Sequence, residues 1–339
     1  MPQYPIDIVV PWVDGNDPAW RAVRSEYRPD SNSDGNDSRY REWGLFHYWF
    51  RSIEMYAPWV RTVHLITWGH LPPWLNTDHP KLHIVRHEDY IPAEYLPTFS
   101  SHVIELNMHR IPGLAEHFIY FNDDVYLNAP TTPADFFVDG LPNDAAVMGQ
   151  VTIADNFSFM PYIDLNMLGL LNMTYSKKQT IKQHPKHWFN VKYGKDALFN
   201  LYLLPGQTFT GFKNYHTCQP YRKTTLEEVW TAYPEALERT CCNRFRSRED
   251  VNQYLFRWWR LIKGEFNPHK PNSCYLTLGS DSIETVDNCL SDRKRKVVCV
   301  NDDPMGCDFE TERQKAVAMF ERHYPAACSF EIMNGGPSV

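Results

Sequence analysis

Two triplets carry the clearest chemical meaning in this chain, Asn122-Asp123-Asp124 and Asn301-Asp302-Asp303. Each follows a short apolar run, Phe118-Ile119-Tyr120-Phe121 in the first case and Val297-Val298-Cys299-Val300 in the second. Adjacent carboxylates repel each other, and a cation offsets that repulsion. Mg²⁺ commonly takes one or two protein carboxylates together with substrate phosphates. Asp123, Asp124, Asn301 and Asp302 are therefore candidate metal ligands, with Mg²⁺ or Mn²⁺ as the ion. Asn-Asp-Asp is also good turn chemistry, and the tripeptide alone does not separate the two readings. Its position favours the metal: an uninterrupted apolar run reads as a strand buried on both faces, and ligands of open α/β sheets sit at the strands' carboxyl ends. Two such edges at one end of one sheet would hold a cation between them.

Other candidates lie at the starts and ends of expected elements. Trp12 and Asp14 follow the β-branched run Ile6–Val10 in a Gly- and Asx-rich loop, a nucleotide-facing position in a Rossmann-like half or an ordinary strand-to-helix turn. The loop has no G-x-G-x-x-G, which disfavours a dinucleotide. Arg39, Arg41 and Arg51 flank a helical pattern from Tyr40 to Met55; guanidinium groups there are either solvated or suited to bidentate phosphate contacts. Ser100 or Ser101 is placed to cap a helix carrying Val103, Ile104, Met108 and Ile111 on one stripe, and Ser100 is also a candidate substrate contact. Glu105 lies in that helix's early turns, where the dipole favours a carboxylate; a solvated surface position is the plainer alternative. His216 precedes Cys218-Gln219-Pro220 as either a loop residue or a catalytic one. Asp30–Gly35 begins like a calcium loop, but its twelfth position is Arg41, so a polar loop is expected.

The elements that would position these residues alternate. Strands are expected at 6–10, 63–67, 82–85 and 118–121, joined in order by a helix, an irregular loop and a helix, which is an α/β order. Residues 156–174 read as a Met- and Leu-rich core helix, and 226–237 as a helix, with another opening at Phe245. The stretch 263–296 reads as loop-rich. A return strand at 297–300 and a helix to about Arg322 follow.

At 339 residues the chain has room for one large α/β domain. A net charge of −7 and pI near 6.0 argue against nucleic acid as the main partner. Mean hydropathy is −0.50 and no apolar run reaches spanning length. The start lacks a basic n-region, so a cytoplasmic location is expected, with any membrane association peripheral, at the inner face. All eight cysteines follow residue 217 without a C-x-x-C pair, so reduced thiols are expected rather than disulfides or zinc.

Taken together, the motifs resemble the Stealth family, hexose-1-phosphoryl transferases that include bacterial capsule-polymer phosphotransferases and the animal N-acetylglucosamine-1-phosphotransferase. IDIVVPWVDGNDPAW is similar to the family's first block. SRYREWGLFHYWFRSIEMYAPWV, ITWGHLPPWL, HEDYIP, LPTFSSHVIE and FIYFNDDVYL resemble the second, His216 through FRSRED the third, and VVCVNDD with YPAACSFE the fourth. Pro11 and Trp43-Gly44-Leu45 depart from the family pattern, and the latter puts a carboxylate role there in doubt.

The resemblance implies a single catalytic domain over 1–339 with a Rossmann-like, glycosyltransferase-A-resembling core and a mostly parallel central sheet. Residues 1–150 would form its α/β half, 151–296 a helical and loop segment, and 297–339 a return strand and helix. It implies transfer of sugar-1-phosphate from a nucleotide diphosphosugar, UDP- or CDP-linked, to a glycan hydroxyl in capsule or exopolysaccharide synthesis. Family functional residues map onto Glu105, Asn122, Asp123, Asp124, His216 and Arg246. His216 is the first choice of general base, with Asp124 the alternative base and a histidyl-phosphate intermediate a third route. The other readings are a metal-dependent glycosyltransferase and a non-enzymatic carbohydrate-binding protein.

Overall fold

The computed structural model describes residues 4–27, 33–34, 40, 42–155, 158–302 and 308–332. Its central sheet has the order β4-β3-β1-β5-β9, built from β1 (Ile6–Pro11), β3 (Val63–Thr67), β4 (Leu82–Arg86), β5 (His117–Tyr120) and β9 (Gln219–Arg222). The first four are mutually parallel and β9 runs antiparallel on β5. The fold is thus α/β with a mostly parallel central sheet, as expected.

Period-two alternation sends adjacent residues to opposite faces, and both faces are covered here. Ile8, Val10, Leu65, Ile119 and Phe121 belong to one buried cluster, and Val9, Ile66, Phe118 and Tyr120 to the other. That is why these strands read as mostly apolar runs; the buried Asp7 of β1 is held by Arg61, by His64 of β3 and by the Ala115 N–H.

A second sheet, β12-β13-β6, comprises β6 (Val125–Leu127), β12 (Ser273–Leu278) and β13 (Val297–Asp302). Here β12 is parallel to β13, and β6 antiparallel. The two acidic triplets therefore end strands of different sheets, which corrects the expectation of one shared sheet. Asp123-Asp124 form the link where the chain leaves β5 and enters β6.

Smaller ladders are β2 (Ser33–Asp34) with β10 (Arg246–Ser247), and β7 (Phe137–Val138) with β8 (Leu141–Asp144) and β11 (Asn267–Pro268). The helices are α1 (Pro18–Glu26), α2 (Phe46–Tyr56), α3 (Ser101–Leu106), α4 (Met160–Thr174), α5 (Lys177–Gln183), α6 (Pro185–Trp188), α7 (Ala197–Leu203), α8 (Lys223–Ala232), α9 (Pro234–Cys241), α10 (Tyr254–Lys263), α11 (Ile283–Ser291) and α12 (Phe309–His323). The first cluster packs α2 and α12 against the central sheet, and the second packs α3, α4, α8, α9 and α10.

Several expectations need correction. The stretch 263–296 contains β12 and α11 rather than loop alone. The helix expected at 226–237 is two, because Pro234 lacks the N–H that would continue the first. The segment after Phe245 opens as strand β10, and its helix begins at Tyr254. The calcium-like loop lies largely outside the described residues, as does Arg41. Seven described cysteines are free thiols, and among the described residues no helix is long and apolar enough to cross a membrane.

Candidate active site

Three segments meet at the carboxyl end of β5. The first is Asn122-Asp123-Asp124 itself. The second is the approach to β9: because Tyr120 pairs with Gln219 antiparallel, residues just before Gln219 return to the same sheet edge, and His216 arrives beside Asp124. The third is β13, whose Cys299 pairs with Val125 and whose Val300 N–H donates to the Asp124 carbonyl at 2.9 Å.

The ligand atoms of Asp124, His216 and Cys299 lie within 4.8 Å of one another. The Cys299 thiol donates to Asp124 Oδ2 at 3.5 Å, whereas Asp124 Oδ1 and His216 Nε2 are buried without a partner. Burial and the neighbouring carboxylates push the Cys299 thiol far up, so it stays protonated. Tyr275, opposite Cys299 on β12, packs its ring on His216 at 4.8 Å. The His216 backbone has φ +44°, a left-handed conformation that costs on the order of 1 kcal/mol for a residue with a Cβ. The loop holds this strained geometry and brings the ring to the acids.

The acidic surroundings extend further. Asp123 sits in a concave place that solvent still reaches; crowding by protein, then Asp124 and Glu42, push its carboxyl up. Burial raises Asp124 as well, against the pull of His216. Glu42 is raised by burial and by Asp14; its oxygens accept Trp12 Nε1–H at 3.1 Å and the Gly44 N–H at 2.7 Å. Asp14 accepts the Asn16 N–H at 2.8 Å, and its own N–H donates to His70 Nε2 at 2.8 Å. Gly15 is required there: a Cβ would stand 2.0 Å from the Tyr40 carbonyl oxygen.

A second group adjoins the first through Tyr120, which senses both Asp123 and Arg246 electrostatically. Its hydroxyl donates to Glu105 Oε1 at 3.0 Å, and Arg246 Nη2 donates to Ser101 Oγ at 2.7 Å. The Arg246 loop is fixed from below by Asp250, which accepts from the Ser247 N–H at 2.8 Å and Asn243 Nδ2 at 2.7 Å, and meets His102 Nδ1 at 2.8 Å.

The structure thus gathers Asp14, Asp123, Asp124 and His216, with Glu105 and Arg246 alongside. Asn122 is half-buried at the turn. Asn301 follows Cys299 on the same strand, its Nδ2 donating to the Asp302 carbonyl at 3.2 Å. Three expected substrate contacts are corrected. Arg51 is locked to Glu331 (2.7 and 3.0 Å), Glu321 (3.0 Å) and the Tyr324 carbonyl (2.7 Å), so its fork ties α2 to the C-terminal segment. Trp12 is 8% exposed and stacked on Phe46 at 5.6 Å, which leaves no face for a base. Ser100 is wholly buried.

The sequence reading missed Glu42, Cys299, Tyr275, Tyr120 and the His102–Asp250 pair. One signal was available: Cys299 and Asn301 share a face by strand periodicity.

Fold and site define an α/β protein with a charge-crowded mouth at its sheet's carboxyl edge, of the kind that handles phosphorylated ligands. Sequence models of Stealth protein conserved regions 1, 2 and 3 match residues 4–32, 39–144 and 215–256. The chain is 40% identical to the capsular polysaccharide phosphotransferase WcwK of Streptococcus pneumoniae, over 96% of this chain and 98% of that protein. It is 36% identical to the exopolysaccharide phosphotransferase cps2G of Lactiplantibacillus plantarum, over 97% and 96%. It belongs to the Stealth family. Asp14, Glu42, Glu105, Asp123, Asp124, His216, Arg246 and Asp250 all fall inside the matched regions. The solved galactosyltransferase LgtC, in complex with donor and acceptor sugar analogues, aligns over 92% of this chain and 95% of that one with a TM-score of 0.37.

Proposed function

We propose that the chain is a sugar-1-phosphate transferase of capsule or exopolysaccharide synthesis, taking a UDP- or CDP-sugar as donor and a glycan hydroxyl as acceptor. The acceptor oxygen attacks the phosphorus bonded to the sugar, the bond from that phosphorus to the bridging oxygen breaks, and UMP or CMP leaves. One observation carries this reading: Asp124 Oδ1 and His216 Nε2 are buried without a hydrogen-bond partner, on two residues whose ligand atoms come within 4.8 Å of each other.

The oxygen donors suit a hard divalent ion: Asp123 and Asp124, with Asn301 and Asp302 on the facing strand, are the ligand types that Mg²⁺ or Mn²⁺ takes together with phosphate oxygens. Such an ion would neutralise the diphosphate and the leaving monophosphate. The chain's own residues do the rest. His216 Nε2 takes the proton of the acceptor hydroxyl, worth roughly 10²–10⁴-fold. Arg246 neutralises the transferred phosphoryl group, with Asp250 and His102 as positioning residues. Glu105, oriented by Tyr120, binds a sugar hydroxyl of donor or acceptor.

The test is product analysis. With a panel of UDP- and CDP-sugars, a divalent ion and an oligosaccharide acceptor, phosphorus NMR should show a phosphodiester and free UMP or CMP. Release of UDP or CDP instead would make the protein a glycosyltransferase. If His216→Ala kept near-full turnover while Asp124→Asn lost it, the base would be Asp124.

A further inference from the structure

Between residues 165 and 213 the chain carries seven lysines and one acidic residue, Asp196, although the whole protein has a net charge of −7. Asp196 is itself buried and consumed by Lys213 and Lys270, at 2.9 and 2.8 Å. The surface this segment presents is therefore basic, against the sign of the rest of the molecule. Lys186, Lys192 and Lys195 are all exposed on it.

The same segment is apolar where it should be polar. Helix α7 turns Asn200 inward, where Nδ2 holds the Ala146 and Trp188 carbonyls at 2.7 and 2.5 Å and Oδ1 accepts the Met148 N–H at 2.6 Å. Leu203 is buried beside it. Those anchors fix the helix with Leu198, Phe199, Leu201 and Tyr202 facing out, the last 75% exposed, and Val191 just before them is 93% exposed. A surface helix normally places its apolar stripe on the core; this one is inverted. Large apolar side chains clustered outside and rimmed by polar residues mark an interaction surface.

We infer that this face docks on an anionic lipid bilayer. The charge decides among occupants: leucine and aromatic side chains ringed by lysines match an interface of acyl chains beneath anionic headgroups, whereas a second copy would bring the same lysines against themselves. Phe199 and Lys213 also line a cleft of about 420 Å³, and Lys213 is three residues from His216.

Flotation of the full chain with lipid vesicles tests this without reference to turnover. The protein should float with phosphatidylglycerol-containing vesicles at least tenfold better than with pure phosphatidylcholine. Changing Lys186, Lys192 and Lys195 to Gln should lower anionic binding by on the order of 100-fold. Leu198→Gln with Leu201→Gln should abolish binding with an unchanged circular-dichroism melt. Should that pair fail to fold, Tyr202→Gln alone, a change at a side chain three-quarters exposed, should still weaken binding. Wild-type protein that stays at the bottom of the gradient with both vesicles overturns the proposal. So does a wild-type dimer in light scattering that becomes a monomer in Leu198→Gln/Leu201→Gln, since the face would then be covered by a second copy.

Discussion

Asp144 is enclosed by protein and the Asp123–Asp124 pair is crowded by it while solvent still reaches Asp123, and the two environments have opposite effects. Burial alone would raise Asp144, but Arg257 and Arg260 outweigh it and hold the carboxyl below its usual range. Arg257 contacts both its oxygens at 2.9 Å, and Arg260 approaches Oδ2 at 2.5 Å. At the β5–β6 link the protein also raises both carboxyls, but no arginine answers them: Asp123 has Asp124 and Glu42 as charged neighbours, Asp124 has His216 and the Cys299 thiol, and one Asp124 oxygen has no partner. A satisfied buried charge builds the fold; an unsatisfied one is left for something the protein binds.

The two are also mechanically connected. Arg257 reaches Asn214 Oδ1 at 2.9 Å and Arg260 donates to the Pro220 carbonyl, so the Asp144 triad grips the chain on both sides of His216. The structural charge cluster fixes the strained loop of the reactive one.

Neutralising one acid in each region separates these roles, and the larger effect is expected at the link. Asp124→Asn should lower turnover by on the order of 10³–10⁴-fold while leaving the melting temperature unchanged or higher, because a repulsion is removed. Asp144→Asn should behave in reverse order, losing about 3–5 kcal/mol of stability as two guanidinium groups are left buried without their counter-ion. Urea unfolding beside initial-rate assays distinguishes them. Equal destabilisation by both substitutions would dissolve the contrast.

Much of this was legible in the chain. Ile6–Val10, Val63–Thr67, Leu82–Val85 and Phe118–Phe121 announce themselves because most of their residues are apolar and β-branched or aromatic, Asp7, His64 and His83 being the exceptions, and Asn-Asp-Asp stands out after the uninterrupted run Phe118–Phe121. Strand β9 was not legible: Gln-Pro-Tyr-Arg has no β signature, and Pro220 is tolerated because it lies on an edge. Its antiparallel return is what brings His216 to Asp124, so the proximity of those two could not be derived from the residues. Glu42 was passed over for a different reason. It lies 81 positions from Asp123 in the chain, and its carboxylate is held by the Trp12 Nε1–H and the Gly44 N–H.

A third buried group tests whether lack of a partner alone makes a residue reactive. His87 has no acid among the groups that shift it: its Nδ1 is buried without a partner, and burial, then His70, push it down to about 4. Its folded-state value is below the ordinary 6.5 or so. Below that pH the unfolded chain takes up a proton that the folded one refuses until about pH 4. Stability is therefore complete above pH 6.5 and declines as pH falls toward 4, by about 2 kcal/mol between pH 7 and 5. His87→Gln should flatten that part of the profile in urea titrations and leave turnover at pH 7 within about twofold. A large loss of turnover would place His87 in the site and weaken the distinction drawn from position.

An intermediate effect is expected where the two kinds of environment overlap, at Glu42. Its oxygens are satisfied by Trp12 and Gly44, as in a structural acid, yet its charge bears on Asp123, as in a reactive one. Glu42→Gln keeps the shape and one acceptor, loses the charge, and turns an N–H toward one of the two donors. If the charge matters mainly through Asp123, turnover should fall about 10–100-fold at saturating divalent ion. The chelator-treated protein should meanwhile melt no lower than the wild type, since relief of repulsion offsets the lost hydrogen bond. If the hydrogen bonds matter more, the melt falls by about 1–3 kcal/mol and turnover follows only as far as folded protein is lost. Melting curves in chelator beside turnover per folded molecule decide between these, and with them whether the acidic mouth ends at Asp123 or includes the segment that leads into α2.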